Sequence, residues 1–269
     1  MADQIRNATW PEILAVLEDP TIQVGLYGPP GVGKTHSLFA MRAEKALKAG
    51  VVPTTRGRKE TAIVEVATPD QYVGKVQFHS EIAPSEVMGM HVPDGDKFRW
   101  EPGPGDLAYA RGGLLILDEI DQASGPMKSY LMGLLDRGPG GTISYVGRTF
   151  SQAEGYQAVA TMNDQPDNGV LPEALLDRFD AWFLVTQPSE AQLDLLEPDL
   201  REICVDSYDP NAVKDPLKGP AITFRLLFGL QKLRRRMPLP QAVLGACKNN
   251  SKLARSLLNV LTLTSPKKS

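Results

Sequence analysis

Residues 28–35 have the sequence GPPGVGKT, which matches the pattern G-x-x-x-x-G-K-[ST] at every fixed position. The preceding residues 22–27 form an apolar run typical of a buried strand, and residues 36–47 have the leucine, alanine and charge spacing of a helix. In this strand–turn–helix setting the glycines let backbone N–H groups face an anion at the helix N-terminus. The chain is therefore expected to adopt an α/β fold and to bind a nucleoside triphosphate.

Two side chains of this loop have expected roles of their own. Lys34 is long enough to reach the β- and γ-phosphates, and the hydroxyl of Thr35 is a suitable ligand for Mg²⁺. The residues expected to bind the nucleotide are Gly28, Pro29, Pro30, Gly31, Val32, Gly33, Lys34, Thr35 and His36.

A second motif, GGLLILDEID, occupies residues 112–121. Four consecutive large apolar residues that end in two acids predict a central parallel strand, buried on both faces, with carboxylates at its C-terminal edge. Asp118 is expected to help bind the cofactor and its Mg²⁺, and Glu119 to polarise the attacking water as a general base. This acidic pair argues against a small GTPase and makes a small-molecule kinase a weaker interpretation.

Two further segments predict residues that complete such a site. Residues 157–164 predict an apolar strand that terminates in Thr-x-Asn, which would place the Asn163 amide near the γ-phosphate and beside Glu119. Residues 171–180 predict a short helix with Arg178 at its end, where a guanidinium could reach the γ-phosphate bound by a neighbouring subunit. On spacing alone, an ordinary surface arginine is the alternative for Arg178.

Together these motifs resemble the AAA+ ATPases, and specifically the MoxR and dynein-related group, over roughly residues 20–260. The resemblance implies a P-loop NTPase fold, a three-layer α/β core built on a parallel sheet, followed by a C-terminal all-helical lid. It also implies ATP and Mg²⁺ as cofactors, Asn163 as the first sensor and Arg178 as an arginine finger acting in trans. Arg225 is the candidate for the second sensor, although it lacks the proline usual in that group, and an exposed helical arginine is the alternative.

Two segments resemble this group in particular. Residues 88–89, 98–103 and 107–110 resemble the insertion in its second helix, and residues 142–150 alternate like its pre-sensor hairpin. In relatives both elements face the central pore of a ring. Trp100, Tyr145 and Arg148 are therefore candidates for substrate contact, with a buried anchor as the equal alternative for Trp100.

The motifs divide the chain into a large α/β subdomain, residues 1–187, and a helical lid, residues 188–269. Residues 7–17 predict a capped helix in which Trp10 is a core residue or, alternatively, part of the base pocket. Residues 51–75 exceed what a minimal core requires. The second core strand is left open between residues 62–66 and 75–80.

Composition limits the remaining classes. A net charge of −3, with 42% hydrophobic and 23% charged residues, is ordinary for a soluble globular protein and gives no bulk argument for nucleic acid. No run of 18 apolar residues and no signal-peptide pattern occur, so we expect a cytoplasmic protein without a membrane span. Cys204 and Cys247 are too few for a disulfide framework or a metal site, and the three histidines share no metal-ligand spacing.

The leading functional hypothesis is an ATPase that forms a homo-oligomeric ring, hexameric by the resemblance, and remodels a protein partner as a MoxR-like chaperone. The resemblance implies a partner with a von Willebrand A domain. A nucleic-acid motor or loader is the first alternative, but the pre-sensor hairpin offers Arg148 as its one clear cation. A nucleotide-gated scaffold with little turnover is the second, and the presence of Asp118, Glu119, Asn163 and Arg178 together argues against it.

Overall fold

The computed structural model describes residues 5–48, 54–57, 62–65, 72–136, 140–163, 171–209, 221–248 and 250–264. The chain divides into two compact units. The first consists of Met1–Tyr27 and Leu38–Leu184, and the second of Gly28–Ser37 and Val185–Ser269. The glycine-rich loop therefore groups with the C-terminal helices. The sequence-based division into residues 1–187 and 188–269 instead placed this loop in the larger subdomain. Those subdomains stay a prediction.

The strands, in chain order, are β1 (Ile5–Asn7), β2 (Val24–Tyr27), β3 (Thr54–Gly57), β4 (Ala62–Glu65), β5 (Val73–Gln77), β6 (Gly89–Asp94), β7 (Lys97–Pro102), β8 (Leu114–Asp118), β9 (Thr142–Tyr145), β10 (Arg148–Ser151), β11 (Gln157–Met162) and β12 (Ala181–Leu184). The α-helices are α1 (Trp10–Val16), α2 (Lys34–Lys48), α3 (Pro84–Met88), α4 (Pro104–Arg111), α5 (Gly125–Leu135), α6 (Glu173–Leu176), α7 (Glu190–Leu193), α8 (Pro198–Ser207), α9 (Phe224–Arg234), α10 (Leu239–Ala246) and α11 (Ser251–Thr264). None of the helices that the structure describes is long and apolar enough to cross a membrane.

The first unit is built on a largely parallel sheet with the strand order β1-β12-β2-β11-β8-β5-β4-β3. Every neighbouring pair from β1 to β5 is parallel, and β8 lies between β11 and β5. All five residues of β8 are buried, as expected for a parallel strand covered on both faces. The predicted P-loop NTPase fold, a parallel sheet flanked by helices with a helical C-terminal region, is confirmed.

The second core strand, which the sequence left open between residues 62–66 and 75–80, is β5. On the side away from β11, the parallel neighbour of β8 is β5, with Gln77 opposite Asp118. Residues 62–65 form β4, which pairs antiparallel with both β5 and β3. Residues 51–53, 58–61 and 66–71 of the additional segment lie outside the described residues.

Two antiparallel hairpins occur where the sequence predicted an insertion and a pre-sensor hairpin. The first, β6–β7, lies between α3 and α4. The second, β9–β10, turns at Val146 and Gly147, whose φ angles of 47° and 72° are typical of a tight two-residue hairpin turn. The period-2 pattern of residues 142–150 therefore predicted this element correctly.

Trp100, on the first hairpin, packs against the second. Its indole N–H donates to the buried Asp106 carboxylate at 2.7 Å, and its ring meets the Tyr145 ring edge-on at 6.4 Å between centroids. The Arg148 guanidinium lies over the Trp100 ring at 4.9 Å from its centroid. Aromatic and cation–π contacts thus join the two hairpins through the half-buried Trp100, and its role in substrate contact stays a prediction.

The helices of the second unit pack through apolar residues at three- and four-residue spacing. Leu227, Leu230, Val243 and Leu257, from α9, α10 and α11, are buried. Arg234, near the end of α9, forms ion pairs with Glu197 and Asp199 beside the start of α8. The predicted helical character of residues 190–263 is therefore observed in its described parts.

We predict that Gly25→Ala destabilises the fold. Gly25 lies in β2 opposite Trp182, and an added Cβ would meet the Trp182 ring at 2.1 Å, so the substitution overpacks a buried contact. The expected loss is about 1–3 kcal/mol in the free energy of unfolding, measured by chemical denaturation. Gly125→Ala is the matched control, because its Cβ has no heavy atom within 4 Å, and it should be neutral or slightly stabilising. Equal stability of the two variants would contradict this packing argument.

Candidate functional site

Three adjacent strands, β5, β8 and β11, bring polar side chains together at their carboxyl ends. Asp118 ends β8, and Thr161 lies on the neighbouring β11. The Thr161 hydroxyl donates to Asp118 Oδ1 at 2.7 Å and accepts the backbone N–H of Glu119 at 3.1 Å. Both side chains are buried, so these hydrogen bonds satisfy groups that water does not reach freely.

Glu119 adopts a left-handed backbone conformation, with φ 56° and ψ 48°, directly after β8. This conformation is uncommon for a residue with a side chain and turns the carboxylate out of the strand. The Asn163 side-chain amide donates to Glu119 Oε1 at 3.0 Å, and the Gln77 amide donates to Oε2 at 3.3 Å. The two predicted residues Glu119 and Asn163 are therefore in direct contact.

Lys75 and Gln77 are functional candidates that the sequence analysis missed. They stand two residues apart on β5, and the Lys75 ammonium pairs with Asp118 Oδ2 at 2.8 Å while Gln77 contacts Glu119. The sequence signal was the polar pair itself, Lys-Val-Gln inside an otherwise apolar strand. It could not be used, because the identity of the strand beside β8 was open.

Asp121 is a further buried carboxyl at this edge. Burial raises its pKa above the usual value, hydrogen bonds from backbone N–H groups and from the Gln122 side chain oppose that shift, and the charge of Glu119 adds to it. Asp121 therefore tends to take up a proton more readily than an exposed aspartate.

In the second unit, the glycine-rich loop closes around Lys34. The buried Lys34 ammonium donates to the carbonyl of Gly28 at 2.7 Å and to that of Pro29 at 3.1 Å. Gly33 has φ 90°, and a Cβ there would lie 1.5 Å from the amide nitrogen of Gln192. The left-handed φ and the close approach of Gln192 both favour glycine here, in a loop whose shape can cradle an anion.

The first helical turn after the loop is tied to α7. The Ser37 hydroxyl lies 2.7 Å from the Ser189 hydroxyl and donates to Gln192 Oε1 at 3.0 Å. Gln192 is fully buried and had no predicted role. Its signal in the sequence was weak, because a glutamine four residues into the lid is ordinary in a helix.

The start of α9 also borders the loop. A Cβ at Gly31 would lie 3.3 Å from the hydroxyl of Thr223, which caps α9, and the His36 ring lies 6.4 Å from that of Phe224. Burial lowers the pKa of His36, which favours the neutral imidazole. Arg225 is the next residue of α9 and is exposed, so it lies on the helix end that adjoins the loop.

Arg178 lies just after α6 at the surface of the first unit. Its Nε is 2.6 Å from Asp136 Oδ1, and its side chain is 37% exposed. An exposed ion pair of this kind is weak, so the guanidinium is held without being buried.

Two comparisons relate this chain to known proteins. A family model described as an AAA domain of the dynein-related subfamily matches residues 23–179, more than half of the chain. A crystal structure at 2.00 Å of a protein from Cytophaga hutchinsonii ATCC 33406, assigned as an ATPase, is similar at 15% identity with a TM-score of 0.47. That alignment covers 86% of this chain and 61% of the other, so this chain spans less than two thirds of that protein.

We expect Thr161→Val to destabilise the first unit although valine has the same shape. The substitution removes the hydroxyl that donates to Asp118 Oδ1 and accepts the Glu119 N–H, and the loss of such hydrogen bonds at buried polar groups costs about 1–3 kcal/mol. Chemical denaturation would measure the change. Thr149→Val is the control, because its hydroxyl is exposed and its contact with the hydroxyl of Ser144 is a long one, at 3.4 Å. This variant should change the free energy of unfolding by about 0.5 kcal/mol or less. An unchanged Thr161→Val protein would show that this hydroxyl is dispensable.

Proposed function

Because the chain belongs to the dynein-related AAA family and is an AAA+ protein of the MoxR and dynein-related group, we propose that it hydrolyses ATP. The phosphates bind to residues 28–36, and Glu119 polarises the attacking water. The observation that carries this proposal is the position of Glu119, whose two carboxylate oxygens each accept an amide, from Asn163 and from Gln77.

These two amides hold the Glu119 carboxylate in one orientation. Each oxygen keeps lone pairs beyond the one that accepts an amide N–H, so it can still accept a proton from water. Phosphoryl transfer requires little covalent chemistry from the protein and depends on positioning and charge. Fixing the base before the nucleotide arrives avoids reorganisation during the reaction.

The residues present suit Mg²⁺. Asp118 offers a carboxylate that already lies against a cation, the Lys75 ammonium, and Thr35 offers a hydroxyl, both hard oxygen ligands. Among the described residues there is no cluster of three or more acidic, histidine or cysteine side chains that could enclose a metal. This donor set fits an ion that relies on phosphate oxygens and water for its other ligands. When bound, Mg²⁺ neutralises charge on the phosphates.

We further propose that Arg178 acts on the nucleotide of a neighbouring subunit, so that the active form is a ring, hexameric as is common in the family. Support comes from its exposure at the surface and from its permanently charged, planar guanidinium, which suits charge spread over a phosphoryl group. Arg225, on the helix end beside the loop, is proposed as the second sensor.

The proposed partner is a protein that this ring remodels as a chaperone. Phe98 on the first hairpin is 72% exposed and Val146 at the turn of the second is 58% exposed, which supports contact with an apolar surface. The two arginines nearby are already engaged, since Arg148 lies on Trp100 and Arg99 pairs with Asp94 and Glu101. This arrangement favours a protein over nucleic acid, and a protein with a von Willebrand A domain is the partner that the family resemblance implies.

Replacing the base tests the hydrolysis proposal. We expect Glu119→Gln to bind ATP with nearly unchanged affinity and to lose about 100-fold or more of its turnover, measured by phosphate release. Lys34→Ala should instead lose ATP binding in an equilibrium titration, since the ammonium that reaches the phosphates is gone. Glu154→Gln, at an exposed turn, is the control and should keep both. Normal turnover in Glu119→Gln would show that another group activates the water.

Mixing two inactive variants tests the shared site. Arg178→Ala should keep ATP affinity and lose about 1,000-fold in turnover. When Arg178→Ala and Glu119→Gln subunits are mixed, activity should partly return, because a site with an intact Glu119 can then receive Arg178 from its neighbour. Arg201→Ala, which removes another exposed, ion-paired arginine, should behave as wild type. If the mixture stays inactive while each variant assembles normally, Arg178 does not act in trans.

A further inference from the structure

Lys75 is a largely buried cation in contact with the acidic residue that ends β8. Its ammonium lies 2.8 Å from Asp118 Oδ2, and the two side chains are only 15% and 11% exposed. We propose that Lys75 is an internal counter-ion for Asp118, which holds that carboxylate in the absence of Mg²⁺ and which Mg²⁺ has to displace. The inference rests on the proposed function of Asp118 as a residue that helps bind the metal.

The position of Lys75 follows from the register of the sheet. Gln77 pairs opposite Asp118, so Lys75 lies two residues further back on β5, opposite Ile116. From there its side chain extends along the strand to the carboxylate, and the other carboxylate oxygen receives the Thr161 hydroxyl at 2.7 Å. Asp118 is thus held by a cation on one oxygen and by a hydroxyl on the other.

A charged pair at this depth calls for an explanation beyond stability. Taking an ammonium and a carboxylate out of water costs free energy that their attraction often only repays, so a purely structural role is served equally well by apolar residues. Asp118 cannot be replaced by an apolar residue if it helps to bind Mg²⁺. A lysine on the adjacent strand then keeps its charge neutralised until the metal arrives.

The consequence is competition between two cations for one carboxylate. Lys75 and Mg²⁺ repel each other at short range, so the ammonium weakens Mg²⁺ binding and stabilises the nucleotide-free protein. The flexible four-carbon stem of lysine lets the ammonium leave the carboxylate while its strand stays in place. Gln77 on the same strand donates to Glu119, so β5 provides a partner for both Asp118 and Glu119.

The test compares the affinity for a fluorescent ADP analogue in MgCl₂ with that in EDTA. The ratio of the two affinities measures how strongly Mg²⁺ and the nucleotide strengthen each other's binding. We expect this ratio to rise about five- to tenfold in Lys75→Met, the size of one partly screened charge–charge interaction. Lys75→Gln should behave like Lys75→Met and supplies the result if the methionine variant folds poorly. Lys75→Arg keeps the charge and should stay close to wild type.

A second readout concerns the protein alone. Without nucleotide and in EDTA, Lys75→Met should unfold at a lower temperature than wild type, because Asp118 has lost its counter-ion, and MgCl₂ with ADP should narrow that difference. Lys97→Met, which removes a charge from an exposed hairpin position, is the control and should leave the ratio and the melting temperature unchanged.

The outcomes separate this inference from the proposed function. A ratio that is unchanged or lower in both Lys75→Met and Lys75→Gln overturns the counter-ion role, since the lysine would then be neutral toward Mg²⁺ or needed to orient Asp118. If the wild-type protein fails to bind the analogue in either buffer, or binds it equally in both, the proposed nucleotide and metal site fails instead.

Discussion

The structure depends on one buried strand that ends in acids. All residues of β8 are buried, because its apolar run packs in the middle of a parallel sheet. The same burial brings the Asp118 carboxylate into a place where water cannot solvate it fully, and a buried polar group without partners costs about 1–3 kcal/mol. Its neighbours therefore have to supply a hydroxyl and a cation, which Thr161 and Lys75 do. The polar network is a consequence of the apolar core.

This network links the elements that the proposed ATPase needs. The Glu119 carboxylate accepts one hydrogen bond from the amide of Gln77 on β5 and another from the amide of Asn163, the residue after β11. Its position therefore depends on both neighbouring strands. The strand β11 itself begins shortly after the β9–β10 hairpin, which is packed against the first hairpin through Trp100. Asn163 thus follows a strand that the chain enters from the hairpin carrying the exposed Val146. In this proposal, nucleotide chemistry and partner contact share a strand and its adjoining hairpin.

Much of the fold was predictable from local pattern, and the site was predictable in part. The loop of residues 28–35, the strand β8, the β9–β10 hairpin and the C-terminal helices follow from periodicity and turn residues within short windows, whereas the β6–β7 segment was expected only as an insertion that the family resemblance implies. The contact between Glu119 and Asn163 could be expected, because parallel strands that end in polar residues share one edge. Lys75 and Gln77 could not, since their roles depend on which strand lies beside β8, and residues 62–66 competed for that place.

The sequence by itself determined the phosphate-binding loop and the two acids at the end of an apolar strand, because both depend on the conformation and chemistry of consecutive residues. Only the tertiary structure decided which side chains surround those acids. Strand order and register arise from contacts between residues far apart in the chain, and a change of neighbour or of one register step presents different side chains. The ion pair of Lys75 with Asp118, the pairing of Arg178 with Asp136 and the packing of Gln192 against Gly33 belong to this second class.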